Sequence, residues 1–247
     1  MPYRRLPKTD KSRLLALKTL LDNNDIYTAR DRFIDWKDIN DARTHYDRLL
    51  TLVKQYEADR RAQTRGRSRV KPLQHKAMLY LSHFMQVLKM SVERGEIKRS
   101  ALALYSLPDD ISVLPQVQLV SQILEWEPKI VSGEKERIKQ GGRPIYNPTA
   151  GMVATHADIL REAYDRHCQL QQRTRDMEAQ LRDARPAIDE LIERVWNQVE
   201  QHFMGDKVID RVEECERFGV KYYYRRKEKP HPQPLPEGEG SDMTYRT

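Results

Sequence analysis

The sequence predicts an all-α protein: an elongated helical bundle with coiled-coil-like heptad packing, long antiparallel helices and one short C-terminal strand. Two observations lead to this fold class. Apolar residues recur at alternating steps of three and four over long stretches of the chain. Hydrophobic residues make up only 38% of the 247 residues, below the roughly 45–50% of ordinary globular domains. Narrow seams between long helices need fewer apolar residues than a layered core, which accounts for this composition.

The residue pattern in the N-terminal third of the chain predicts a short helix followed by a helical hairpin. The short helix is capped by Thr9 or Asp10 and ends near Asn24, with an apolar face formed by Leu14, Leu17 and Leu21. The hairpin covers residues 35–94, with a basic turn at residues 65–69 and Pro72 in the first turn of its second arm. Its two apolar seams are Ile39, Ala42, Tyr46, Leu49, Val53 and Tyr56, and then Met78, Leu81, Met85, Leu88 and Val92.

The middle of the chain, residues 96–154, is predicted to be irregular. Leu114, Val117, Val120 and Leu124 mark one shorter helix that ends before Pro128, and glycine and proline residues then indicate a loop.

A long helix is predicted over residues 155–203, with Thr155 and Asp158 as a capping box. Pro186 predicts a kink within this helix, and Asp183 is an alternative cap for a fresh helix at that point. The apolar seam keeps its register across the proline. Its candidate contact residues are Leu160, His167, Leu170, Met177, Leu181, Ile188, Leu191 and Val195.

The remaining C-terminal segments are short. Residues 206–225 predict a short helix ended by Gly219 and a strand at residues 220–224, whose pairing partner the sequence leaves open. Residues 1–229 are expected to form one helical-bundle domain. Residues 230–247 have no apolar periodicity and predict a disordered tail.

No catalytic, cofactor-binding or metal-binding motif is found. A di-iron bundle needs glutamates that lie three residues before a histidine on facing helices. Glu228, before His231, is the only acidic residue at this spacing, and it falls at the edge of the predicted tail. A di-iron bundle is therefore not indicated. The adjacent His167 and Cys168 point about 100° apart on a helix and cannot form a nucleophilic pair with each other. We therefore expect a protein that is not an enzyme and needs no cofactor. His167 at a seam position is expected to fix register or partner number.

The formal net charge of +7 is concentrated in a few segments. Residues 60–76 include seven basic and no acidic residues. Residues 221–229 also contain more basic than acidic residues, and they include three tyrosines. Such clusters hold phosphates or acidic partners. The candidate contact residues are Arg60, Arg61, Arg65, Arg67, Arg69 and Lys71, together with Tyr222, Tyr224, Arg225 and Arg226.

Both ends of the chain carry a likeness to a protein family. The N-terminal Tyr-Arg-Arg-Leu-Pro-Lys-Thr-Asp and the later Arg-Phe-Gly-Val-Lys-Tyr-Tyr-Tyr resemble an uncharacterised family of bacterial helical proteins of similar length. That resemblance implies a helical fold and no assigned activity, so it transfers no functional residues.

Two functions are expected from these observations. The first is an interaction or scaffolding protein that binds a protein partner or itself, as a homodimer, along the residue 160–195 seam; packing of that seam within one chain is the structural alternative. The second is a nucleic-acid-associated protein that binds phosphates through the basic residues 60–71. We expect no membrane partner, and cytoplasmic localisation, because no segment has the roughly 20 apolar residues that cross a bilayer.

Overall fold

The computed structural model describes residues 3–26, 32–109, 113–205 and 207–223, and within them the chain is all-α. The helices are α1 (Asp10–Asn24), α2 (Trp36–Glu93), a 3₁₀ helix (Arg99–Tyr105), α3 (Val120–Lys139), α4 (Ala150–His202) and α5 (Val208–Arg217). Two short strands, β1 (Tyr3–Arg4) and β2 (Tyr222–Tyr223), pair antiparallel. None of the described helices combines the length and apolar character that crossing a bilayer requires.

The chain divides into two compact units, to both of which α2 and α4 contribute. The terminal unit contains Met1–Leu50 and Asp183–Thr247, and the central unit contains Thr51–Arg182. In the terminal unit, the start of α2 packs against the end of α4, where Asp38 accepts hydrogen bonds from Arg194 and Gln198. The apolar core there includes Leu17, Leu20, Ile39, Leu191, Val195, Trp196 and Phe218.

The central unit pairs α2 and α4 antiparallel. Asp59 of α2 contacts Arg173 of α4, and two turns of α2 further on Gly66 lies against Leu170. Further still, the rings of Tyr80 and His156 contact each other in a tilted arrangement, with centroids 4.1 Å apart. The prediction of long antiparallel helices is thereby confirmed. The core of this unit adds α3 and the 3₁₀ helix, and it includes Leu81, Phe84, Leu88, Tyr105, Ile123, Ile130 and Leu160.

The predicted hairpin over residues 35–94 is wrong, because α2 is one continuous helix of 58 residues. The basic residues 65–69 lie within this helix and form no turn. Pro72 is exposed, so water can satisfy the backbone carbonyl that its missing N–H leaves free. Gly66 is half-buried against α4, and a methyl group added there would lie 3.3 Å from Leu170 Cδ1. The glycine therefore serves close helix packing.

Two other helices have bounds that differ from the predicted ones. The predicted helix before Pro128 starts later, at Val120, and continues through the exposed Pro128 to Lys139. The long C-terminal helix starts at Ala150, five residues before the predicted cap, and the hydroxyl of Thr149 accepts a hydrogen bond from Met152 N–H at 3.2 Å. Thr155 instead donates its hydroxyl to the Gly151 carbonyl within the first turns of α4.

The predictions for α1, for the continuous register of α4 and for the Gly219 helix end agree with the structure. The helix α1 has the predicted bounds, and the side chain of its cap Thr9 accepts from Ser12 N–H. The helix α4 is continuous through Pro186, so Asp183 starts no new helix. Gly219 has a φ of +88° and closes α5, where Val220 N–H donates to the Cys215 carbonyl at 3.2 Å. The C-terminal strand pairs with β1, a second strand that the sequence did not indicate.

Candidate functional site

The basic residues of α2 lie on the face of the helix that points away from the protein core. Arg60, Arg61, Arg65, Arg67, Arg69 and Lys71 are all exposed. Asp59, Val70 and Ala77 of the same stretch are buried and mark the opposite face. Because all of these residues belong to the central unit, the arrangement is defined within one compact body.

Helical geometry sorts the cations into two rows. At about 100° per residue, Arg60, Arg67 and Lys71 fall within an arc of about 40°. We call these three residues the first row. The second row lies roughly 140° further around the helix. It consists of Arg61, Arg65, Arg69 and Lys76.

Small polar residues lie between the two rows. Thr64, Ser68 and His75 are exposed and fall in the arc that separates the rows, opposite the buried face. The hydroxyl of Thr64 donates to the Arg60 carbonyl, and that of Ser68 donates to the Thr64 carbonyl, so both side chains lie close to the helix backbone. The rows therefore flank a shallow polar strip. From Arg60 to Lys76 the strip is about 24 Å long.

Most of these cations have no acidic partner. Arg61 forms an ion pair with Glu57 at 3.2 Å, and both side chains are solvent-exposed to a large extent. Such a pair contributes little stability, about 0.3–0.5 kcal/mol. Arg60, Arg65, Arg67, Arg69 and Lys71 form no ion pair with any residue that the structure describes. Their charge is therefore available to a ligand.

The second row borders a groove between α2 and α4. The groove has a volume of about 580 Å³. Arg65 and Arg69 of α2 and Arg166 of α4 contribute cationic side chains to its lining, and Glu162 contributes the one acidic side chain among them. The apolar part of the lining comprises Ala62, Leu73, Ile159, Ala163 and Leu170. Arg166 extends the basic surface onto the second helix, and charge counting along α2 alone could not reveal it.

His167 lies in this groove with a buried and unpaired nitrogen. No described group forms a hydrogen bond with its Nδ1, which is 3.4 Å from the position that a Gly66 Cβ would occupy. A buried polar atom without a partner costs about 1–3 kcal/mol.

A second histidine lies near the end of the second row. Burial lowers the pKa of His156, and the positive charge of Lys76 lowers it further. The charge of Lys76 on α2 thus acts on a histidine of α4 within the central unit.

Tyr222 is part of the terminal unit, whereas the two rows of α2 are part of the central unit. Tyr222 is half-buried, and its hydroxyl donates to Glu200 Oε1 at 2.5 Å. Burial raises the pKa of Tyr222, and the Glu200 carboxylate raises it further. The Tyr222 hydroxyl is therefore engaged with a carboxylate of the same unit. Tyr224, Arg225 and Arg226 lie outside the described residues.

The predicted seam contacts of α4 pack within the chain. Leu160, Leu181, Ile188, Leu191 and Val195 are buried, each no more than 2% exposed. His167, Leu170 and Met177 are half-buried. The seam therefore has partners in the same chain, as the structural alternative to self-association expected.

Comparison with known proteins adds no function to this geometry. No family model, curated protein or solved structure matches the chain.

Proposed function

We propose that this chain is a non-catalytic binding protein that docks double-stranded nucleic acid on the basic face of α2. The observation that carries the proposal is the pair of cationic rows, exposed and nearly free of acidic partners, on either side of a polar strip. Phosphate contacts by lysine and arginine supply most of the affinity of nucleic-acid-binding proteins.

The two-row arrangement suits a duplex better than a single strand. The major groove of B-form DNA is about 12 Å wide and admits an α-helix. With α2 in that groove, each row would face the phosphates of one strand, and Thr64, Ser68 and His75 would face the base edges. Binding to single strands commonly uses aromatic side chains as stacking platforms. None of the described residues of the two rows or the strip between them is a phenylalanine, tyrosine or tryptophan.

The alternative interaction role remains a prediction. An acidic protein partner would also be attracted by the two rows, but a flexible acidic segment does not require their separation around the helix. Self-association along the α4 seam is not needed to bury its apolar residues, because the chain already covers them.

Fluorescence anisotropy can separate these functions. The probes are a labelled 20-base-pair DNA duplex of random sequence, an RNA duplex of the same sequence and a labelled polyglutamate peptide. We expect the DNA duplex to bind at low salt and to dissociate as salt rises. The RNA duplex should bind more weakly, since side chains cannot enter its deep, narrow major groove. Binding of the peptide without binding of either duplex would identify an acidic protein partner and overturn the proposal.

Neutralised variants locate the binding surface. Replacing Arg60, Arg61, Arg65, Arg67, Arg69 and Lys71 by glutamine should abolish duplex binding while leaving the helical circular dichroism signal unchanged. The triple variant Lys98→Gln, Arg99→Gln, Lys135→Gln is a control of charge, because these exposed cations belong to the same unit but lie outside α2. This control removes three charges and the test variant removes six. It should retain its affinity within about twofold, and a loss of binding free energy in proportion to the number of charges removed in the two variants would show that only net charge matters.

A further inference from the structure

The two-stranded ribbon of the terminal unit sends its side chains to opposite sides. Tyr3 pairs with Tyr223, and Arg4 pairs with Tyr222. Because successive side chains of a strand alternate, Arg4 and Tyr222 share one face of the ribbon. On this face Arg4 forms ion pairs with Glu200 at 2.9 Å and Glu193 at 3.8 Å.

The opposite face of the ribbon borders a pocket. Arg5 continues the pairing, since its N–H donates to the Lys221 carbonyl at 3.0 Å. Its guanidinium lies 5.4 Å from the centre of the Tyr223 ring. Both side chains, together with Lys221, line a cavity of about 320 Å³ that is formed entirely within the terminal unit.

The pocket has a buried apolar floor, and its lining also includes hydroxyl-bearing residues. Trp196, only 1% exposed, and Ala16, 6% exposed, form the buried part of the floor. Gly219 allows the end of α5 to approach α1 closely, because a methyl group there would lie 2.8 Å from the Ala16 carbonyl oxygen. The remainder of the lining is Leu6, Pro7, Lys8, Thr9, Ser12, Leu15 and Thr19.

The charges of this pocket all have the same sign. Arg5, Lys8 and Lys221 line it, and none of the described residues in its lining is an aspartate or a glutamate. Among the described residues, these three cations form no ion pair. The nearby arginines of the same unit behave differently, since Arg13 pairs with Asp189 at 2.7 Å and Arg185 pairs with Asp10 at 2.8 Å.

We propose that this pocket binds a small organic oxyanion, such as an aryl phosphate or aryl carboxylate. The three cations and the hydroxyl of Tyr223 would hold the oxyanion, and the floor around Trp196 would cover the apolar group. The hydroxyls of Thr9 and Ser12 are engaged in the cap of α1, where Thr9 donates to Ser12 Oγ and Ser12 donates to the Thr9 carbonyl. Its volume is in the size range of small-molecule sites. The site is independent of the basic face of α2, because every residue of its lining belongs to the terminal unit.

Titration with phenyl phosphate, benzoate and inorganic phosphate tests the proposal. Binding is followed in ¹H–¹⁵N spectra by the indole signal of Trp196. We expect phenyl phosphate or benzoate to shift this signal with saturation, and to bind at least 10-fold more tightly than inorganic phosphate. The stronger of the two organic anions identifies the oxyanion. The proposal is overturned if neither phenyl phosphate nor benzoate produces a saturable shift up to 10 mM. A dissociation constant of 10 mM corresponds to roughly 2.7 kcal/mol of binding free energy at 1 M standard state.

A matched pair of variants ties binding to the pocket. Lys8→Gln, Lys221→Gln should weaken the binding of the organic anion at least 10-fold. Lys11→Gln, Lys18→Gln removes the same charge from exposed positions of α1 that do not line the pocket, and should change affinity less than twofold. Equal weakening by both pairs would contradict a specific site. Competition by inorganic phosphate with the same affinity as phenyl phosphate would contradict the role of the apolar floor.

Discussion

The two long helices use arginine in different ways. Four arginines of α4 form ion pairs with acidic side chains on other helices. In the central unit, Arg161 pairs with Glu127 and Arg173 with Asp59. In the terminal unit, Arg185 pairs with Asp10 and Arg194 with Asp38. The acidic partners are largely buried, and these pairs join one helix to the next.

The arginines of α2 between residues 60 and 69 face water, and among the residues that the structure describes only Arg61 of this group has an acidic partner, Glu57 of its own helix. Residues of one type thus occupy two different environments in the same fold. The paired arginines of α4 join one element to another, and the proposed function assigns phosphate contacts to the exposed arginines of α2. Stability measurements and binding measurements should therefore respond to different substitutions.

The largest stability effect is expected for an arginine that is fully enclosed. In the central unit, Arg137 donates to Glu134 at 2.9 Å and to the Tyr105 hydroxyl at 2.7 Å, and Glu134 also accepts from Ile145 N–H. The side chains of Arg137 and Glu134 are 8% and 2% exposed. Glu134→Gln leaves a buried guanidinium without a counter-charge and should lower the free energy of unfolding by about 3 kcal/mol in urea denaturation. A change below about 1 kcal/mol would contradict a structural role for the ion pair.

The second prediction compares one arginine from each long helix. Arg173→Gln leaves Asp59, whose side chain is 7% exposed, without its cationic partner. The free energy of unfolding should fall by about 1–2 kcal/mol. Arg69→Gln removes an exposed, unpaired charge and should change it by less than about 0.5 kcal/mol. Equal losses in the two variants would remove the distinction between the helices.

The third prediction concerns the unpaired nitrogen in the groove. His167→Leu removes the buried Nδ1 while nearly conserving side-chain volume, and should raise the free energy of unfolding by about 1 kcal/mol. His83→Leu on α2 is the matched control at an exposed position, and should change it by less than about 0.5 kcal/mol. A loss of stability in His167→Leu would indicate that the imidazole has a favourable partner in solution. Light scattering on the same variant tests whether His167 fixes the oligomeric state.

The smallest expected effect is electrostatic. Burial and Lys76 hold the pKa of His156 below its ordinary value, so the folded state favours the neutral imidazole. The stability contributed by this histidine is present above the unfolded-state pKa of about 6.5 and is lost as the pH falls below it. Lys76→Gln should raise the pKa of His156 in an NMR titration while leaving it below about 6.5, because burial remains. An unchanged titration midpoint would show that the charge of Lys76 does not reach His156.

Sequence patterns predicted the parts of the fold that local chemistry determines. The three-four spacing located the buried residues of α4, and the Thr9 cap and Gly219 marked two helix ends. Errors arose where packing outweighs local preference. Gly66 and Gly133 suggested interruptions, yet Gly133 lies inside α3, where a methyl group would be 2.6 Å from Tyr105 Cδ1. Such glycines are required by a neighbouring element that is distant in sequence.

The candidate site was predicted in composition but not in arrangement. The basic residues 60–71 were identified by charge, but their interpretation as a turn concealed the two rows. The spacing of Arg61, Arg65 and Arg69 at intervals of four would have indicated a shared helix face if Gly66 had been placed inside a helix. The spacing of basic residues along α2 could not indicate Arg166. This residue belongs to α4 and reaches the groove only because α2 and α4 pair antiparallel.

The salt dependence of duplex binding tests the central claim most directly. For B-form DNA, each phosphate contact contributes about 0.9 to the slope of log K against log salt concentration. Arg60→Gln, Arg67→Gln, Lys71→Gln should therefore reduce the magnitude of that slope by about 2–3, whereas Lys98→Gln, Arg99→Gln, Lys135→Gln should leave it unchanged. The same slope in the wild-type protein and in the first-row variant would contradict the account.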